Sequence, residues 1–145
     1  MTSTETANTA SVADIYSAFG RGDVPAILDR LADDVAWDVW ERGNEGQLAG
    51  VEHLAAQRGV QGAAEFFASI AGWTVREFTV LDVIGSGRQV VAEIRAAFDL
   101  PNGGRLADEE LHLWTFDDAG KVTRFRHYVD TAKHIRAARG EDTTA

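Results

Sequence analysis

The run Leu106-Ala-Asp-Glu-Glu-Leu-His112-Leu-Trp-Thr-Phe116, the turn Asp117-Asp-Ala-Gly120 and the return Lys121-Val-Thr-Arg-Phe-Arg-His127-Tyr-Val-Asp-Thr131 decide how this chain is read. Both arms alternate with a period of two and turn-forming residues separate them, which predicts a β-hairpin. On the first arm His112, Trp114 and Phe116 share one face. On the second, Phe125, His127 and Val129 share a face, and Arg124, Arg126 and Tyr128 take the other. With the apolar faces of both arms pointing the same way, two histidines stand on neighbouring strands above one apolar floor.

Upstream of this hairpin the pattern is strand after strand from Thr74: residues 74–84, a Gly85-Ser86-Gly87 turn, residues 88–99 and a Pro101-Asn102-Gly103-Gly104 turn. The N-terminal half is helical. Residues 1–10 lack periodicity and read as a disordered tail. A helix is predicted from Ser11, with Asp14 in a capping-box position and Val12, Ile15, Tyr16 and Phe19 on its buried face. After Gly20-Arg21-Gly22, Asp23 caps a second helix whose apolar stripe is Val24, Ile27, Leu28 and Leu31. Asp33-Asp34 turns the chain into a strand over Val35–Trp40. Residues 41–62 carry five glycines and read as a binding loop or lid with one short helical turn near 51–57. A third helix follows over about 62–71. A short helix at about 131–138, with Asp130 as its cap, leads to a polar tail over 139–145. Helices followed by long antiparallel strands give an α+β domain over 11–138, a strongly curved sheet around three helices with a cavity at the open end.

Composition narrows the function. The 145 residues suit one domain with its own core. There is no cysteine, which excludes thiolate catalysis and cysteine-bound metals. A formal net charge of −9 opposes nucleic-acid binding. No membrane span or signal peptide is evident, so the expected location is cytoplasmic. The four histidines (53, 112, 127 and 134) show no His-x-His or His-x-x-x-His spacing, so no metal is expected. Glu93 and Arg95 share a strand face and are expected to pair.

The element order, with Gly22-Asp23 between the helices and Ala32-Asp-Asp-Val-x-Trp37 at the first strand, resembles the SnoaL-like and ketosteroid-isomerase-like proteins of the nuclear-transport-factor superfamily. The closing runs His112-Leu-Trp-Thr-Phe and Gly120-Lys-Val-x-Arg-Phe-Arg-His-Tyr-Val-Asp-Thr carry most of the likeness. It implies a cone-shaped fold and a homodimer formed through the outer sheet face, where Arg124, Arg126 and Tyr128 lie. Position by position, the tyrosine donor of steroid isomerases falls on Ile15, one residue from Tyr16. Their aspartate base falls on Val39, one from Asp38, and their second donor on His112. The acid of limonene-type epoxide hydrolases falls on His127. Two pocket positions are thus filled by histidine.

The expected activity is cofactor-free acid–base chemistry of isomerase, cyclase or dehydratase type on an apolar oxygenated small molecule, carried by His112 and His127. Glu110 shares a face with His112 and can orient its ring. Tyr16, Phe19, Trp37 and Val39 are expected along the pocket wall, together with Phe66, Trp114, Phe125 and Val129. The alternatives are a non-catalytic ligand-binding protein or a dimerisation module of the same fold.

Overall fold

The computed structural model describes residues 1–145 apart from the side chain of Val39. Its elements are α1 (Ser3–Gly20), α2 (Val24–Leu28), β1 (Leu31–Val39), α3 (Glu45–Leu48), a 3-10 turn (Glu52–Leu54), β2 (Gln57–Arg58), α4 (Gly59–Ile70), β3 (Thr74–Ser86), β4 (Gln89–Asp99), β5 (Arg105–Phe116), β6 (Val122–Tyr128) and α5 (Thr131–Ala138). One mixed sheet runs in the order β2-β1-β6-β5-β4-β3. All its pairings are antiparallel except that of β1 with β6. Register shifts in β3 near Arg76 and Leu81 sharpen the local twist of this edge strand. The sheet curls round α1, α2 and α4, and the expected α+β cone is the fold observed.

The core fills the concave side. Trp37, on β1, stacks on Phe125 of β6 with ring centroids 4.2 Å apart, and Trp114 of β5 closes on the same ring at 4.5 Å. Val12 and Ile15 of α1, Ile27 of α2 and Ala63 of α4 cover these rings. A smaller apolar group, Val51 and Leu54, ties the 44–56 segment to Ile135 and Ala138 of α5.

Several boundaries differ from the sequence expectation. Helix α1 begins at Ser3, because Thr2 and Glu5 form the capping box that the sequence pattern predicts at Ser11 and Asp14. Residues 3–10, expected as a tail, are therefore helical, and Asn8 is buried. Helix α2 ends at Leu28, and Leu31 opens β1 instead of continuing the helical stripe. Asp33 and Asp34 lie within that strand, their side chains exposed. The 41–62 loop contains α3, the 3-10 turn and the start of α4. Arg95 pairs with Glu77 on the neighbouring strand at 3.3 Å and not with Glu93. At the chain end, Thr143 N–H donates to the Arg105 carbonyl at 2.9 Å, so the polar tail is tied to the edge of β5.

Asp130 caps α5 as expected, its Oδ1 accepting from Lys133 N–H at 3.2 Å. That helix is held against the β4–β5 turn, where Gly104 is required by space. A Cβ there would sit 2.1 Å from the Ala137 carbonyl oxygen.

Among the described residues no helix is long and apolar enough to cross a membrane.

Candidate active site

Strand β5 builds the site by simple alternation. Its inward residues are Leu106, Asp108, Glu110, His112, Trp114 and Phe116, all buried. Apolar side chains occupy both ends and three ionisable groups sit between them. The β5–β6 register places His112 directly opposite His127 and Trp114 opposite Phe125. Both imidazoles border one cavity of about 70 Å³, with ring centroids 6.3 Å apart. They stand side by side on one wall, because they are cross-strand neighbours. They do not face each other across a ligand.

His112 is held at both nitrogens. Its Nε2 lies 3.0 Å from Glu110 Oε1, and its Nδ1 lies 2.7 Å from the Tyr16 hydroxyl. An ionised carboxylate can only accept, so Nε2–H donates to Glu110 and Nδ1 accepts from the Tyr16 O–H. Trp114 Nε1–H donates to the Tyr16 oxygen at 3.1 Å, fixing the phenol from its other side. Burial pushes the Tyr16 phenol well above its usual range, so it stays a proton-bearing hydroxyl. Burial also opposes the charge on Glu110, yet hydrogen bonds from His112 and His134 hold it well below the usual carboxylate range.

His134, from α5, occupies the space behind Glu110. Its Nε2 lies 2.9 Å from Asp108 Oδ2 and 3.4 Å from Glu110 Oε2, and its Nδ1 lies 2.8 Å from His53 Nε2. Burial disfavours a charged ring, but the hydrogen bonds to Asp108 and Glu110 win and push His134 up to about 9. It is a cation at neutral pH, donating from both nitrogens. His53 therefore accepts at Nε2 and is neutral, its affinity for a second proton lowered by burial and by the His134 charge. Asp108 is raised by burial, which its bond to His134 offsets only in part.

His127 is different. It takes no hydrogen bond among the described residues. Burial pushes it down to about 3, so it faces the cavity as a neutral ring. Phe66 meets it edge-on at 5.7 Å and Phe125 stacks on it at 5.5 Å. The buried indole Nε1 of Trp37 also lacks a partner among the described residues.

Tyr16, Phe19, Trp37, Phe66, Trp114 and Phe125 all border the cavity. Val129 does not. It follows the end of β6, where alternation stops, and packs on Val51 and Leu54 instead. Val39 lies outside the described residues as far as its side chain is concerned, although its backbone pairs with His127. Tyr16, one residue out of register in the family count, points into the cavity beside Ile15. The sequence reading missed His53, Asp108 and His134 as site residues. Asp108 had a signal, since it shares parity with Glu110 and His112. His134 sits four residues after the Asp130 cap, and His53 on a 3-10 turn gives no pattern at all.

Asp108, Glu110 and His134 are the group whose donor atoms, all within 4.8 Å of one another, are close enough for one metal ion among the described residues. Here the protonated His134 ring already fills the space between the two carboxylates. A metal would have to expel that proton.

The SnoaL-like domain description matches residues 12–125 of this chain. The chain has no significant match among curated protein sequences. An NTF2-like protein of unknown function from Burkholderia pseudomallei is 26% identical, with 91% of this chain and 97% of that one aligned and a TM-score of 0.76. TerC, co-crystallised with polyporic acid, is 23% identical over 92% of this chain and 98% of its own, with a TM-score of 0.75. An LEH-like epoxide hydrolase from M. tuberculosis is 20% identical over 94% and 92%, with a TM-score of 0.68. These last two likenesses show the fold alone. With its curved sheet and helical filling matched end to end and the family description covering most of its length, this chain belongs to the SnoaL-like domain family of NTF2-like proteins.

Proposed function

We propose that the protein is a small-molecule enzyme that moves protons on an apolar, oxygen-bearing substrate using its own side chains, with isomerase, cyclase or dehydratase chemistry. The observation that carries this reading is the Tyr16–His112–Glu110 chain beside the unpartnered neutral His127 on one cavity wall. The Tyr16 oxygen takes a proton from the substrate carbon as its own O–H proton passes to His112 Nδ1, both transfers reverse on reprotonation, and Glu110 fixes the ring and stabilises the positive charge it then carries. This is the nucleophile–base–orienter logic applied to a phenol. His127, too weak a base to take the proton itself, offers N–H to a substrate oxygen and polarises it. A neutral imidazole suits that role, because it adds no charge to the ground state. The apolar walls exclude water and strengthen both contacts. We place the second copy of a homodimer on the outer face, where exposed Leu111 pairs with Tyr128.

The test is solvent deuterium exchange at the α-carbons of 2-tetralone, followed by NMR. The parent protein should accelerate exchange, and His112→Gln and His127→Phe should each lose on the order of a hundredfold, the scale of one general acid–base contribution. Saturable tetralone binding with no acceleration in the parent would replace this reading with that of a ligand-binding protein.

A further inference from the structure

The cavity is not the whole site. A second groove of about 290 Å³ lies between the ends of α1 and α4 and the adjoining parts of β3 and β4. Five residues, Phe19, Phe67, Ile70, Trp73 and Phe98, border both spaces, so one layer of apolar side chains is the wall they share. The two compartments differ in chemistry. Tyr16, Glu110 and the four histidines border the inner one. The outer one adds only Gly22, Val24, Ala71 and Val75 to the shared walls and has no ionisable or hydroxyl-bearing side chain among its described lining residues.

The cavity offers about 70 Å³ and the groove about 290 Å³. A long substituent on a ring seated against His112 and His127 reaches the groove by displacing side chains of that shared layer. Resting on the reading of the inner site given above, the geometry points to a substrate that is an elongated amphiphile, an oxygen-bearing ring as head and a hydrocarbon or aryl tail as the groove's occupant. The shared apolar layer and the change in polarity across it assign the groove to that tail. Trp73 is placed to discriminate tails, since it borders both compartments and is braced by His53 at 4.7 Å and Phe98 at 5.3 Å. Val75, half exposed, is a wall the tail would cover.

The series phenol, 4-butylphenol, 4-hexylphenol and 4-octylphenol tests this, titrated by quenching of the wall tryptophans. Affinity should climb about threefold to fourfold per added methylene, the value of one buried CH₂, and level off once the groove is full. Val75→Asp and, independently, Ala71→Glu should flatten that climb, with phenol as the internal reference. Both positions are exposed, so a charge there leaves the core intact. Phenol binding without chain-length dependence in the parent would overturn the inference while sparing the inner site. So would a climb that survives unchanged in both variants. A smaller sedimenting mass for unliganded Val75→Asp would give the groove to a second copy of the chain, also against the inference. Failure of the inner site looks different: phenol and every longer member then fail to bind the parent, and both readings fall.

Discussion

Replacing His134 by glutamine should remove an alkaline dependence of stability that this one ring creates. The folded chain raises His134 from its ordinary 6.5 to about 9. At about 1.4 kcal/mol per unit, that is about 3 kcal/mol of stabilisation. The folded state binds the proton more tightly than the unfolded state does. The contribution is therefore complete below pH 6.5 and is lost as the pH rises through 9. Below pH 6.5, the variant leaves Asp108 and Glu110 facing each other without the intervening cation. Breaking a buried pair in this way costs about 3–5 kcal/mol. Urea unfolding of parent and variant at pH 6, 7.5 and 9.5, read by tryptophan fluorescence, measures the effect, because the difference between the two proteins cancels the titrating groups remote from this ring. The gap should narrow by about 3 kcal/mol between pH 6 and 9.5. A gap that stays constant over that range would refute the assignment of a buried cation to His134.

Three further outcomes follow from other parts of the molecule. His127 is depressed to about 3, so its neutral form stabilises the fold above pH 6.5 and that support is lost as the pH falls towards 3. His127→Phe should accordingly show an acid limb shallower by about 1.4 kcal/mol per pH unit below 6.5 in the same unfolding assay. Gly104→Ala drives a Cβ against the Ala137 carbonyl and should lower the melting temperature by several degrees, measured by circular dichroism. Leu111→Asp, on the outer sheet face, should shift sedimentation from dimer to monomer without changing tetralone exchange.

How far the sequence speaks depends on the kind of signal each residue carries. Alternation on β5 and β6 was enough to pair His112 with His127 and put both over Trp114 and Phe125, because a strand leaves its side chains only two directions to point. The same parity rule puts Asp108 on the inward face, although nothing on the strand itself shows what offsets the cost of burying it. Its partner, His134, arrives from a helix 26 residues later and leaves no periodic trace on the strand. His53 reaches the cavity only because Val51 and Leu54 anchor its segment to α5, a long-range packing event. The first two turns of α1 read as a tail for a local reason. Thr2 and Glu5 cap the helix, and the polar run behind them is a poor apolar stripe but an acceptable helix former. Tyr16 shows the limit of counting from a family motif. Positions 15 and 16 both reach the cavity, since a buried helix at the mouth of a cone exposes more than one residue of its inner face to the hollow.

The division of labour between the imidazoles is the claim on which the function depends. It is most directly tested by long-range ¹⁵N NMR of the four histidine rings at pH 7, with and without saturating phenol. His134 should carry protons on both nitrogens, His53 and His127 should be neutral, and His112 should be protonated at Nε2. Phenol should shift the His127 and His112 ring nitrogens and leave His134 in place. A doubly protonated His127, or phenol binding that moves neither His112 nor His127, would contradict it.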